Sequence, residues 1–412
     1  MRFAHAFESG GGTERYLDDL DRTLLEREAL TIVRVHLTRN SPPSPPTEEK
    51  MGLGILVKVP LPIRAENSSS ADSNEHSARF WLKKQLRNWI LYNPFVWRIY
   101  GEKWMSSFQM QPQPGQALGS GPTTAEQLRT RGVDLVVLHF FGGADADEVV
   151  KEIRKCGVPF CILNHYSNDR LLHLSIRKHA MLADAVAGVN GLSVPKYLRG
   201  KFTNLSDGID TLFFRRENAR PLVSPPLYQI ILLPARVVRE KGQMDLVRAV
   251  ASLRKSGVDC SIAFAGRVDS SGFVEELRHE IDCSGLKDRV HFLGVLDLDE
   301  LRNWYSASAI MALPTYHHEG LPRVVLEAQA MELPVVAYAT GGVADGISSG
   351  RTGFLLPTGD INGLTERLRE LLSSSPLRVS MGAAGRRAAE TRFSLGALAD
   401  RHERFYRQIL AG

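Results

Sequence analysis

The sequence predicts an α/β protein built from two parallel-sheet domains, and three observations carry that prediction. Residues 309–339 run as apolar strand, polar loop, helical period and second apolar strand, the pattern of a βαβ unit with strands buried on both faces. The same alternation recurs over 134–163 and again from 229 to 294. A chain of 412 residues also exceeds what one core fills, so two domains of about 200 residues each are expected.

Composition narrows the function classes. Hydrophobic residues at 43% and charged residues at 24% are ordinary for a soluble globular chain. A net charge of +5 with a pI near 9.0 suits an anionic substrate or membrane surface and does not demand nucleic acid. Cys156, Cys161, Cys260 and Cys283 show no paired metal spacing and fit a reducing cytosol. No signal peptide precedes the first strand and no run of 18 apolar residues could span a bilayer, so a cytoplasmic location is expected.

In chain order, Arg2–Phe7 reads as a first strand ending in Ser9-Gly10-Gly11-Gly12, with a helix from about Thr13 that puts Leu17, Leu20 and Leu24 on one face. Strand, glycine turn and helix start together let a phosphate or sugar approach the backbone at Gly11 and Gly12. A second strand covers 31–37. Regularity then stops: the proline-rich stretch 40–50 and the serine-rich stretch 67–77 read as loops.

Between Arg79 and Trp104 lie four of the five tryptophans, six basic residues and one acid. Leu82, Leu86, Trp89 and Ile90 fall at helical spacing beside Lys83, Lys84 and Arg87. Such a segment either docks on an anionic membrane or packs its aromatics on the first domain.

The sheet pattern resumes at 134–140. A helix follows near 145–156, and a strand at 159–163 leads into Asn164-His165-Tyr166-Ser167. Ligands of open α/β sheets bind beyond the carboxyl ends of strands, which makes His165 a candidate and His139, also at a strand end, a weaker one. A strand at 184–189 precedes Ser206-Asp207-Gly208-Ile209-Asp210, and the prolines of 215–226 mark a linker. The second domain opens with a buried strand at 229–233, followed by Arg236 and Lys241 before a helix, and strands follow at 261–266 and 290–294. Residues 395–410 form the last helix.

The chemistry concentrates in residues 313–342. Pro322 stands where a helix begins, at a position that forfeits no intrahelical hydrogen bond. The N–H groups near Gly320 and Leu321 then stand at the positive end of that helix, ready for an anion. Glu319 precedes the helix and Glu327 lies two turns into it, in an apolar setting where a carboxylate needs a partner. Such a turn can hold a sugar hydroxyl, a phosphate and a ribose side by side. His317 and His318 beside Glu319 are not expected to form a metal site, because adjacent residues rarely point at one ion and no other ligand cluster stands in the sequence.

The run Glu319-Gly-Leu-Pro through Leu326-Glu327-Ala resembles the E-x7-E signature of glycosyltransferase family 4, retaining enzymes with the GT-B fold. The resemblance is strong over 229–370, moderate over 1–30 and 130–213, and absent over 40–125. It implies two Rossmann-like domains facing a central cleft. The acceptor-side domain would span 1–214 with an irregular insertion at about 40–125, and the nucleotide-sugar domain 227–393. The final helix, 394–412, would pack back on the first domain. The segment Ala235-Arg236 through Lys241-Gly242 is similar to the family's G-R-x4-K-G, with alanine in place of the first glycine.

By this resemblance Arg236 and Lys241 clamp the donor diphosphate with the Gly320 and Leu321 N–H groups. Glu327 accepts the ribose hydroxyls, and Glu319 orients the donor sugar. His165 lies near donor and acceptor, and Gly11 and Gly12 face the donor across the cleft. Asp207-Gly-Ile-Asp210 resembles the family's N-G-[IV]-D, read as structural, and Arg267-Val268-Asp269 replaces a common glycine, leaving the base unspecified.

The function implied is hexosyl transfer with retention from a nucleotide-diphosphate sugar to a glycan, lipid-linked or small-molecule acceptor. It needs no metal or other cofactor, and takes place in the cytoplasm, peripherally at the inner membrane face if 79–104 docks there. A non-catalytic nucleotide-sugar binder, or another GT-B enzyme such as an epimerase or phosphorylase, stays open at this point.

Overall fold

A computed structural model describes residues 2–7, 31–38, 47–51 and 54–60 as strands, residues 19, 20 and 23, and then 133–139, 150–151, 153–165, 168, 171, 174–192, 194–223, 228–269 and 271–412. The glycine run with Gly11 and Gly12, the loop 67–77 and the basic, tryptophan-rich 79–104 lie outside the described residues.

The chain forms two sheets. The first has eight strands: β1 Arg2–Phe7, β2 Thr31–Thr38, β3 Thr47–Met51, β4 Gly54–Pro60, β5 Leu135–His139, β6 Phe160–Asn164, β7 Ala185–Gly188 and β8 Phe202–Asn204, ordered β3-β4-β2-β1-β5-β6-β7-β8. All neighbours are parallel except the edge pair β3 and β4. That pair corrects the reading of 40–50 as loop alone: residues 47–51 are a strand. Its partner carries Ile55, Leu56, Val57 and Val59, an apolar run overshadowed by the prolines before it.

The second sheet is wholly parallel, with β9 Ile230–Pro234, β10 Ser261–Ala265, β11 Val290–Gly294, β12 Ile310–Leu313, β13 Val335–Tyr338 and β14 Gly353–Leu356 in the order β11-β10-β9-β12-β13-β14. Order reverses at β9/β12, which opens a crevice at the carboxyl ends of those strands. Helices α1 Leu174–Leu182, α2 Gln243–Lys255, α3 Ser271–Cys283, α4 Leu298–Ala307 and α5 Arg323–Ala330 connect or flank the strands. Four residues after Gly294, α4 is started by Asp297 and Glu300 in a reciprocal cap.

Strand alternation divides the apolar side chains between layers. Ile231, Leu233, Ile262, Phe264 and Ala312 pack on one face of the second sheet. Ile230, Leu232, Ala263, Met311 and Leu313 face the other way, into a cluster shared with Leu135, Val137, Cys161 and Leu163 of the first sheet. One apolar layer therefore joins the two sheets, and burying it is the main force holding them together. The last helix, Leu395–Leu410, closes this layer with Leu398, Phe405 and Tyr406. It packs on the first-sheet part as the sequence predicts: Ile209 N–H donates to Phe393 O at 2.8 Å, and Arg401 Nε to Leu205 O at 2.5 Å. The linker is docked rather than free, since Arg216 donates to Met331 O at 2.9 Å and Arg220 N–H to Asn303 Oδ1 at 2.8 Å.

Candidate active site

Two loops leave the central strands of the second sheet, one after β9 and one after β12, and backbone bonds sew them together. Tyr316 N–H and the Thr315 hydroxyl both reach Glu240 O, at 2.8 and 3.1 Å. Gly242 makes the approach possible: its φ is +75°, and a Cβ there would stand 1.9 Å from Pro314 O. Beneath them Asp245 accepts from the hydroxyls of Tyr316 and Tyr338, each at 2.7 Å. Burial first, then the bond to Asp245, pushes the Tyr316 phenol up to about 12, so both tyrosines remain donors.

This stitching brings two predicted residues into contact, for Lys241 Nζ is ion-paired with Glu319 Oε1, both largely buried. Arg236 goes elsewhere. It donates to Asp269 Oδ2 at 2.6 Å and keeps an exposed guanidinium, while Arg267 binds the other oxygen of Asp269 at 2.5 Å. The hydrogen bond from Arg267, then that from Arg236, holds the Asp269 carboxyl below its ordinary value. A cation released from either pair can meet a phosphate, and a carboxylate released from Lys241 can meet a sugar hydroxyl.

Gly320 and Leu321 complete the loop at the start of α5, whose cap is Pro322. Among the described residues, neither the Gly320 nor the Leu321 N–H donates a hydrogen bond. The turn Gly341-Gly342 seats this backbone, with Gly342 N–H donating to Glu319 O at 2.9 Å. From the first sheet, the backbone of His165 lies against Gly320, where a Cβ would stand 2.2 Å from His165 O. His165 Nε2 is 2.8 Å from Nδ1 of His139, and the rings stack with centroids 5.1 Å apart. One ring must donate and the other accept along that bond, so the pair cannot carry two full positive charges there.

Glu327 lies away from solvent. It is 1% exposed and accepts from the Tyr305 hydroxyl at 3.1 Å. Its carboxylate belongs to a buried charge cluster centred on Arg323, which binds Asp19 at 2.5 Å and Asp207 at 3.3 Å. Burial alone would lower the Arg323 guanidinium, but Asp207, Asp19 and Glu327 outweigh it and raise the pKa. For Asp207 burial wins over Arg323 and the Gly208 N–H, and the carboxyl is raised. Aspartate in place of the usual asparagine at 207 thus supplies a charge to a buried arginine.

Sequence reasoning missed Arg323, Asp19, Asp269, Tyr305 and Asn190; Arg323 meets Asp19 and Asp207 across 304 and 116 residues, and Asn190 meets Gly320 across 130, and an arginine directly after Pro322 at a buried helix start was the one local signal. Among the described residues no three His, Cys, Asp or Glu side chains gather as a metal site, and no helix is long and apolar enough to cross a membrane.

Residues 214–388 match the family described as glycosyl transferases group 1. The chain is 26% identical over 175 residues to the capsular polysaccharide biosynthesis glycosyltransferase CapM of Staphylococcus aureus, covering 42% of this chain and 45% of that protein. It is 28% identical over 214 residues to a GDP-mannose-dependent alpha-(1-6)-phosphatidylinositol monomannoside mannosyltransferase of Mycobacterium tuberculosis, covering 47% and 55%. The chain therefore spans about half the length of these relatives.

Among solved structures, a glycosyltransferase from Rickettsia africae superposes with a TM-score of 0.69 at 19% identity, covering 99% of this chain and 98% of that one. Anabaena Alr3699/HepE in complex with UDP gives 0.65 at 16% identity, covering 99% and 100%. These neighbours share the two-sheet GT-B fold.

Proposed function

We propose that the chain is a retaining, metal-independent glycosyltransferase that moves a hexose from a nucleoside-diphosphate sugar to an acceptor in glycan assembly. The Lys241–Glu319 pair carries this reading: a cation and a carboxylate held together at the crevice, beside two backbone N–H groups. Each is a placeholder for the other. A donor diphosphate draws Lys241 and Arg236 onto its oxygens, and Glu319, released, accepts from the sugar hydroxyls and orients the ring.

The anomeric carbon–oxygen bond to the diphosphate then breaks and a bond to the acceptor oxygen forms on the same face. The acceptor proton passes to the departing phosphate oxygen. A diphosphate leaves readily only when its charge is met in place, and two fixed cations with the Gly320 and Leu321 N–H groups meet it without a metal. His165 stands on the acceptor side of the loop, with His139 fixing its ring. Glu327 reaches a ribose only if binding uncovers it; its buried bonds assign it first to holding α5.

The domain division follows the same logic, with 1–214 on the acceptor side, Gly11 and Gly12 facing the donor, and 227–393 on the nucleotide-sugar side. The relatives named for capsular polysaccharide and phosphatidylinositol mannosides favour an envelope glycan or lipid-linked acceptor, met at the cytoplasmic membrane face through 79–104. Release of nucleoside diphosphate from UDP-glucose or GDP-mannose, assayed with excess chelator and with or without glycan and lipid-linked acceptors, tests the reading. Acceptor-dependent release supports it. Tight nucleotide binding with no release under any acceptor makes the chain a binder, and release restored only by a divalent ion removes metal independence.

A further inference from the structure

We infer that Asn190 is the positioning residue for the Leu321 N–H, so that a side chain of the first sheet sets the geometry of an anion-binding group in the second. This rests on the reading of Gly320 and Leu321 as diphosphate ligands. Asn190 follows β7, is 1% exposed, and donates from Nδ2 to Gly320 O at 3.0 Å across 130 residues of sequence. Its orientation is fixed, because Oδ1 accepts from Leu192 N–H at 3.1 Å and shares, at 3.1 Å, an Asn168 Nδ2 hydrogen with a backbone carbonyl. With the oxygen pinned twice, the amino group is the end left to face Gly320.

Asn168 is fixed in turn. Fully buried, it donates to Asn190 O at 2.9 Å and Leu192 O at 2.8 Å, and accepts from Asn164 Nδ2 at 3.1 Å. A closed chain of three buried amides thus runs from the end of β6 to the loop that holds Glu319.

What this anchoring does follows from the planarity of the peptide. The peptide bonds are trans, so the carbonyl of Gly320 and the N–H of Leu321 point in opposite directions from one rigid plane. Holding the carbonyl toward Asn190 aims the N–H away from it. The plane has little other freedom: the His165 carbonyl crowds Gly320 on one side, and a Cβ at Gly342 would stand 1.4 Å from Gly320 O on the other. Without Asn190 the Gly320 carbonyl loses its donor and the plane can tilt, taking the Leu321 N–H with it.

Asn190→Asp is the direct test, since it keeps the shape and the two accepted bonds but replaces the donor with an oxygen facing an oxygen. Affinity is measured by calorimetry for UDP and GDP, and for uridine and guanosine, which lack the diphosphate. The variant is expected to lose about tenfold in affinity for whichever diphosphate the wild type binds, with nucleoside affinity unchanged. Asp345→Ala serves as the control, because Asp345 accepts from Gly191 N–H at 2.6 Å and joins the same two parts without touching Gly320. It should keep wild-type diphosphate affinity.

The inference is overturned if Asn190→Asp binds the diphosphate as wild type does, if nucleoside affinity falls in step, or if Asp345→Ala shows the same loss. Should Asn190→Asp not fold, Asn190→Ser, too short to reach Gly320, is read by the same outcomes. A wild type that binds neither diphosphate fails the functional reading itself, and the positioning role with it.

Discussion

The loop 314–320 and the helix that follows it carry the two acids of one motif, eight residues apart, in opposite circumstances. Glu319 sits at the crevice with Lys241 as its one ionic partner among the described residues. Glu327 sits under the surface with Tyr305, beside an arginine that two further carboxylates hold. The spacing that puts one acid on the ligand side carries the other into the join between the two sheets. On the proposed reading, charge at the crevice is exchangeable and charge in the buried cluster is structural, so substitutions in the two places should fail differently.

The largest expected effect is on the structural side. Arg323→Ala would leave Asp19, Asp207 and Glu327 buried without their cation, a change typically costing about 3–5 kcal/mol. Thermal or denaturant unfolding should show this loss, while Arg323→Lys should recover part of it. Near wild-type stability in Arg323→Ala would make the cluster incidental. On the exchangeable side, Lys241→Ala should leave the melting temperature close to wild type and lower turnover by a hundredfold or more, on the order of 3 kcal/mol in the barrier. The opposite split, large in stability and small in rate, would move Lys241 into the structural class.

A smaller effect sharpens the contrast between the acids. Glu327→Gln keeps an oxygen for the Tyr305 hydroxyl but removes a charge near Arg323, and should cost roughly 1 kcal/mol of stability with little change in nucleotide affinity. A selective fall in nucleotide affinity would instead return Glu327 to the ribose. The smallest effect concerns Asp269, whose carboxyl is held below its ordinary value by Arg267 and Arg236. A depressed carboxylate stabilises above its unfolded value and loses that contribution as pH falls through its folded value. Asp269→Asn should therefore flatten the acid limb of a stability–pH profile slightly, and an unchanged profile would show that the exposed pair contributes nothing.

These contrasts also mark what was legible in the sequence. The strands of 134–163, 229–294 and 309–339 and the last helix were legible from local periodicity, because strands buried on both faces run as continuous apolar stretches. The edge strands β3 and β4 were hidden by the prolines of 40–46, although 54–60 carries a strand's apolar run. Arg323 meets Asp19 across 304 residues and Asp207 across 116, and Asn190 meets Gly320 across 130. No window of sequence contains both partners of such pairs. The burial of Glu327 under Tyr305 was not legible for a related reason: helical spacing gives the direction of a side chain but not what covers it.

The central claim is that a donor diphosphate replaces Glu319 as the partner of Lys241, with protein cations and backbone N–H groups in place of a metal. Calorimetric titration of UDP and GDP into wild type, Lys241→Ala and Arg236→Ala, all in excess chelator, tests it most directly. The account predicts one bound diphosphate per chain in the wild type and at least about tenfold weaker binding in each variant. Binding that requires a divalent ion, or that both variants retain in full, would contradict it.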